Sequence, residues 1–127
     1  MVEVEVLGAE SLASAEIVAL CRQVAAQLGV QEGHVAVEFV DAERIAELNM
    51  LHRGVREPTD VLSFPIDGLG AAAGERELGD VVICPEHTRD IHEAVVHGML
   101  HLLGMDHETD DGEMLALQDQ LMSERGR

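Results

Sequence analysis

The stretch VVHGMLHLLGMDHE, Val95 to Glu108, carries three of the chain's seven histidines inside an otherwise apolar run. A buried imidazole needs a hydrogen-bond partner or a ligand. The three rings are therefore either satisfied inside a core or converge on something. Apolar residues at helical spacing (Val95, Met99, Leu102) predict a helix over Ile91–Leu103, with Asp90 and Glu93 placed as a capping box and Gly104 as its stop. His97 and His101 are four residues apart on that helix, so both rings leave one face about 6 Å apart along the axis. Two imidazoles at that spacing can chelate one cation. Gly104 lets the chain turn through a conformation that glycine adopts without penalty, and His107 returns three residues later toward the same point. The pattern is H-x3-H-x2-G-x2-H.

Three neutral ring nitrogens leave a fourth coordination position open. Three protein ligands and a water are the arrangement of catalytic zinc, whereas structural zinc sites close with four ligands rich in cysteine. Cys84, the thiol nearest in sequence, sits in a strand-like run before Pro85. The expectation is one open, water-bearing metal site held by His97, His101 and His107. The same spacing occurs in metzincin proteases, HExxHxxGxxH, where the Glu acts as general base. Here that position is Gly98, which argues against proteolysis by that mechanism.

Working outward, MVEVEVLG alternates Val2, Val4 and Val6 with Glu3 and Glu5, the period of a half-buried strand. Ser11 to Leu28 has apolar residues at helical spacing (Ile17, Leu20, Val24, Leu28), Ser11 or Ser14 to cap its start and Gly29 to end it. His34–Val40 reads as a second strand. Asp41 then caps a helix to about Leu51 that sets Ile45 and Leu48 on one face. Asp60–Pro65, DVLSFP, reads as a third strand. Asp67–Leu78 is small and glycine-rich, so a mobile loop is expected there. GDVVICP supplies a fourth strand, and a last helix begins near Asp110 with Met114, Leu117 and Leu121 on its buried side. The order β-α-β-α-β-β-α-α, without repeat or linker, predicts one α+β domain over residues 1–127, a four-stranded mixed β-sheet packed by helices.

A chain of 127 residues is long enough to bury a core without staples. Aromatic residues are 2 %, with no Trp or Tyr, so the core is aliphatic and the stacking platforms of many single-strand binders are missing. The formal charge is −17 and every basic residue is arginine, which disfavours generic coating of nucleic acid. Local RNA binding at a cation-bearing cleft remains compatible with that charge. Cys21 and Cys84 are far apart and read as two free, buried thiols of a reducing compartment. No leader-like N-terminus and no apolar run of ~18 residues is present, so a cytoplasmic protein without a membrane span is expected.

The stretch HGMLHLLGMDHET, with LNMLHRGVREPTDVLSFP (Leu48–Pro65) and LGDVVICPE (Leu78–Glu86), resembles the bacterial YbeY family of metal-dependent endoribonucleases, which act in ribosomal RNA maturation. The resemblance implies a zincin-like fold, His97, His101 and His107 as ligands of one zinc, and Arg53 as the active-site arginine. Read alone, Arg53 is better read as a helix-end arginine meeting the last carbonyls or Asp60, and the resemblance reverses that order. An arginine fork and a metal both suit charge developing on phosphodiester oxygens. The chain departs from the family pattern in having His52 and Met105 where tyrosine is usual, and in a shorter segment between Glu86 and His97. Arg53, Arg56 and Arg89 are candidates for an RNA track, and Arg22, Arg44 and Arg76 for solvated charges. Asp106 and Glu108 are either acceptors for a ligand imidazole or ordinary turn residues, and Ser63 either faces a phosphate or is a strand residue. His34, His87 and His92 read as surface residues.

Together these readings imply a zinc-dependent single-strand endoribonuclease acting on ribosomal RNA, with a ribosomal subunit or a ribosome-associated protein as partner. Two rivals stand beside it: a metal-dependent hydrolase of another substrate, and a ribosome-assembly factor whose zinc is structural. The attacking group is either a water-derived hydroxide or the neighbouring 2′-hydroxyl.

Overall fold

The sheet is built from segments whose alternation is already visible in the sequence. In the computed structural model, which describes residues 1–8, 14–66 and 77–125, β1 (Val2–Leu7) pairs in parallel with β2 (Gly33–Phe39). β2 pairs in parallel with β4 (Glu77–Ile83), and β4 pairs antiparallel with β3 (Val61–Pro65). The strand order is β1-β2-β4-β3, a mixed sheet as expected. Four α-helices accompany it among the described residues: α1 (Ser14–Gln27), α2 (Ala42–Arg53), α3 (Ile91–Leu102) and α4 (Glu113–Arg125).

Successive side chains of a strand point to opposite faces, and each face here has its own cover. Val35, Val37, Val81 and Ile83 join Ile17, Leu20 and Val24 of α1, Val95, Met99 and Leu100 of α3, and Met114 and Leu121 of α4 in one buried cluster. On the other side Val82 and Leu62 pack with Ile45 of α2 and with Cys84. Both cysteines are free and buried, and burial pushes the Cys21 thiol up to about 12.

The helix ends follow local chemistry. The Asp41 carboxylate accepts from the Arg44 backbone N–H and Gly54 closes α2; the Asp90 carboxylate accepts from the Glu93 N–H at the start of α3. Some boundaries differ from expectation. The proposed start of the first helix at Ser11 and residues 67–76 of the proposed loop lie outside the described residues. Glu77 and Leu78 are not loop but the beginning of β4, because Leu78 is buried in the main core and Glu77 lies opposite His34. That strand stops at Ile83, and Pro85, which has no N–H to donate, opens a 3-10 turn. α4 begins at Glu113 rather than near Asp110, whose carboxylate instead accepts from the Gly112 and Met114 N–H groups ahead of the helix.

Gly98 decides how closely α3 can lie on the sheet. A Cβ there would stand 2.6 Å from Cγ1 of Val81 and 3.0 Å from Cγ2 of Val61. Beside it the Ser63 hydroxyl donates to the Gly98 carbonyl at 2.7 Å, pinning helix to strand. Ser63 is therefore a packing residue of β3. Alanine improves helix propensity by ~1 kcal/mol, but overpacking a stiff, buried valine costs about 1–3 kcal/mol. Gly98→Ala should lower the midpoint of urea unfolding; an unchanged or raised midpoint would contradict this packing.

Candidate metal centre

The position of the three histidines follows from how α3 is seated. Val95, Val96, Met99 and Leu100 are wholly buried, which leaves His97 and His101 on a flank of the helix that is only partly covered. The helix then closes with the Gly104 N–H donating to the His101 carbonyl and the Met105 N–H to the Leu100 carbonyl. Gly104 has φ 103°, in the left-handed region that this reversal requires. In the turn that follows, the Asp106 carboxylate accepts from the Glu108 N–H, and the Asp106 carbonyl accepts from the Asp110 N–H. Asp106 is thus a turn residue that brings His107 back over α3.

The result is a compact triangle of rings. Centroids lie 4.8 Å apart for His97 and His101, 5.3 Å for His97 and His107, and 5.1 Å for His101 and His107. One nitrogen from each ring lies within 4.8 Å of the others, close enough that the three could hold a metal ion. Among the described residues the cluster includes no thiol and no carboxylate, and Cys84 belongs to the opposite face of the sheet.

The rings are held from outside. Nδ1 of His97 lies 2.7 Å from Oε1 of Gln118, which projects from α4 and is 8 % exposed. Nδ1 of His107 is buried without a partner among the described residues. An unsatisfied buried polar atom costs about 1–3 kcal/mol. Metal ligation requires neutral imidazole, and the site favours it at His101. Burial first, then repulsion from His97 and His107 were they charged, lowers that group below the ordinary histidine value of 6.5 against weaker opposition from Asp106 and the Met105 backbone. The donor set, its half-burial and the orphaned nitrogen all fit a cation.

Arg53 is the last residue of α2, exposed, and has no hydrogen bond or ion pair among the described residues. It does not meet Asp60, whose carboxylate accepts from the Val61 N–H. Asn49, buried one turn earlier, donates to the Glu57 carbonyl at 3.0 Å and ties the end of α2 to the chain that follows Arg53. His52 packs its ring against Phe64 of β3, with centroids 4.7 Å apart. Arg56 and Arg89 are exposed, and Arg76 lies outside the described residues. Arg22 is not a solvated charge: its Nε donates to the Val2 carbonyl at 2.8 Å. His34 and His92 also have partners that sequence separation concealed. Nδ1 of His34 lies 2.8 Å from a Glu77 carboxylate oxygen, and Nε2 of His92 lies 3.4 Å from Glu16. A separate cleft of about 330 Å³ on the α2 side, bordered by Glu38, Arg44 and Asp80, contains none of the three histidines.

Gln118 is the one residue of the centre that sequence reasoning passed over. Its signal was present, since it falls on the apolar stripe of α4 between Met114 and Leu121, where a polar side chain has to find a partner.

Fold and site together define an α+β protein with a three-histidine candidate metal centre. The family model described as Endoribonuclease YbeY matches residues 6–126. Proteins named Endoribonuclease YbeY are 41 % identical in Micrococcus luteus, with 95 % of this chain and 90 % of the relative covered, and 39 % identical in Rubrobacter xylanophilus, with 97 % and 93 % covered. The solution structure of TM1509 from Thermotoga maritima is similar with a TM-score of 0.57 and 27 % identity, over 95 % of this chain and 87 % of that one. The chain belongs to the endoribonuclease YbeY family.

Two histidines should titrate in opposite directions in the metal-free protein. Hydrogen bonding to Glu77 raises His34 above 6.5, so its contribution to stability is complete below 6.5 and is lost as pH rises through the folded value. His101 is lowered, so between 6.5 and its folded value the unfolded chain takes up the proton first, and acidification through that window costs stability. NMR titration of the ring resonances should give a His34 midpoint above 6.5 and a His101 midpoint below it; the reverse order would contradict the site.

Proposed function

We propose that this chain is a zinc-dependent endoribonuclease that cleaves single-stranded RNA in the maturation of ribosomal RNA. The observation that carries the reading is the convergence of His97, His101 and His107 without a fourth protein donor among the described residues, in a chain of this family. The three imidazoles would hold the zinc, with no fourth protein donor among the described residues, unlike a structural centre closed by four protein ligands. When bound, the cation supplies Lewis acidity toward a phosphodiester oxygen and toward water. Arg53 is the catalytic cation of the protein itself. Its guanidinium offers a planar fork to non-bridging phosphate oxygens and is not paired with an acid among the described residues.

Gly98 supports RNA over peptide. The position that carries the general base in HExxH proteases faces Val81 and Val61 here, and a side chain there would have to displace them. The acidic surface sets the other half of the reading. A formal charge of −17 repels a free polyanion, so productive encounter takes place on a ribosomal subunit, or beside a ribosome-associated protein that supplies positive surface. No helix among the described residues is long and apolar enough to cross a membrane, in keeping with a cytoplasmic site of action.

Parallel digestion of single-stranded RNA and casein, each with and without a chelator, tests the assignment. RNA should be cut only without chelator and casein left intact; casein cleavage, or RNA cleavage indifferent to chelator, would overturn it. Arg53→Ala should keep its metal and its fold and lose about 10²–10³-fold in activity on RNA. Free RNA should bind weakly in physiological salt, and nanomolar affinity would contradict the need for a partner.

A further inference from the structure

The inner end of α4 is not passive cover for the histidines. Gln118 is nearly buried, and its amide oxygen stands 2.7 Å from Nδ1 of His97. Met114 and Leu121, the neighbours of Gln118 on the same helical face, are wholly buried, so the backbone that carries this amide is anchored in the core. A neutral imidazole has one N–H and one lone pair, on different nitrogens, and a carboxamide offers either an accepting oxygen or a donating NH2. Nδ1 is engaged by Gln118, so Nε2 is the nitrogen that His97 can offer to the other two rings. The two orientations of the amide therefore have opposite consequences. With the oxygen toward His97, Nδ1 carries the hydrogen and Nε2 presents its lone pair. With the NH2 toward His97, Nε2 carries the hydrogen and the ring cannot ligate.

We infer that Gln118 is the positioning residue of His97, holding it as the Nδ1–H tautomer so that Nε2 is free for a metal. The inference rests on the metal reading of the three-histidine centre. It assigns to this chain a neutral amide in the place where many metal sites use a carboxylate or a backbone carbonyl to orient a ligand imidazole. The oxygen acts only as acceptor, so a carboxylate substitutes for it, whereas a side chain of similar length without an acceptor does not. Without the amide, Nδ1 loses its partner, and nothing in the centre then favours a lone pair on Nε2.

The tautomer is read directly from the ring nitrogen shifts of His97 in long-range 1H–15N spectra of the metal-free protein at a pH where the ring is neutral. Wild type should show Nδ1–H; Gln118→Glu should keep it, and Gln118→Met should shift His97 toward Nε2–H. Zinc titrations on the same samples should show affinity down 10–100-fold for Gln118→Met and retained for Gln118→Glu, with far-UV circular dichroism unchanged in both. A wild-type His97 in the Nε2–H form would overturn the inference, as would a Gln118→Met protein with unaltered tautomer and zinc affinity. The wild-type spectrum needs no variant, so it decides even where Gln118→Met fails to fold. A wild-type Nδ1–H ring in a protein that takes up no zinc would overturn the metal reading and the ligation role with it. That failure is distinct from failure of the pairing, which appears in the spectrum.

Discussion

The close seating of α3 on the β3–β4 face is the constraint on which the rest of the molecule depends. Gly98 removes the atom that would hold the helix off Val81 and Val61, and the Ser63 hydroxyl locks the approach. With the helix at that depth, Val95, Met99 and Leu100 fill the main core, and His97 is left facing Gln118 of α4. A helix raised by a methyl group would move His97 away from Gln118 of α4, which is anchored separately in the core. Packing and chemistry are thus coupled at one glycine.

The centre owes its properties to being half-buried. Full burial would have no route for a substrate, and full exposure would let the rings solvate and charge independently. The intermediate position lowers the affinity of His101 for protons, and a charge on His97 or His107 would oppose a positive charge beside them, so this ring favours the neutral state that ligation requires. The opposite balance is found at His34, where Glu77 and Glu5 stabilise the charged ring on the sheet. One residue type is thereby held in two protonation tendencies, by burial among its own kind and by carboxylates.

Much of this was legible in the sequence because it is local. Period-two valines in β1, the Asp41 and Asp90 caps and the H-x3-H-x2-G-x2-H spacing depend on neighbours a few residues away, and the ring triangle follows from helix pitch and one glycine turn. What was not legible depends on distant pairings. Gln118 meets His97 across 21 positions, His34 meets Glu77 across 43, and Arg22 meets Val2 across 20. The start of β4 was hidden for the same reason, since Glu77 and Leu78 are strand only by virtue of β2 and the core. Gly98 is the instructive case: the sequence shows a missing base, whereas the structure shows that any side chain at that position would collide with the sheet.

Everything proposed for the site depends on the three imidazoles binding metal together. Elemental analysis of the purified protein tests this most directly, with wild type compared against His101→Ala. About one zinc per chain is expected in the wild type, lost from a variant that remains folded. Wild-type protein without a bound transition metal, or a His101→Ala protein that keeps a full complement, would contradict it.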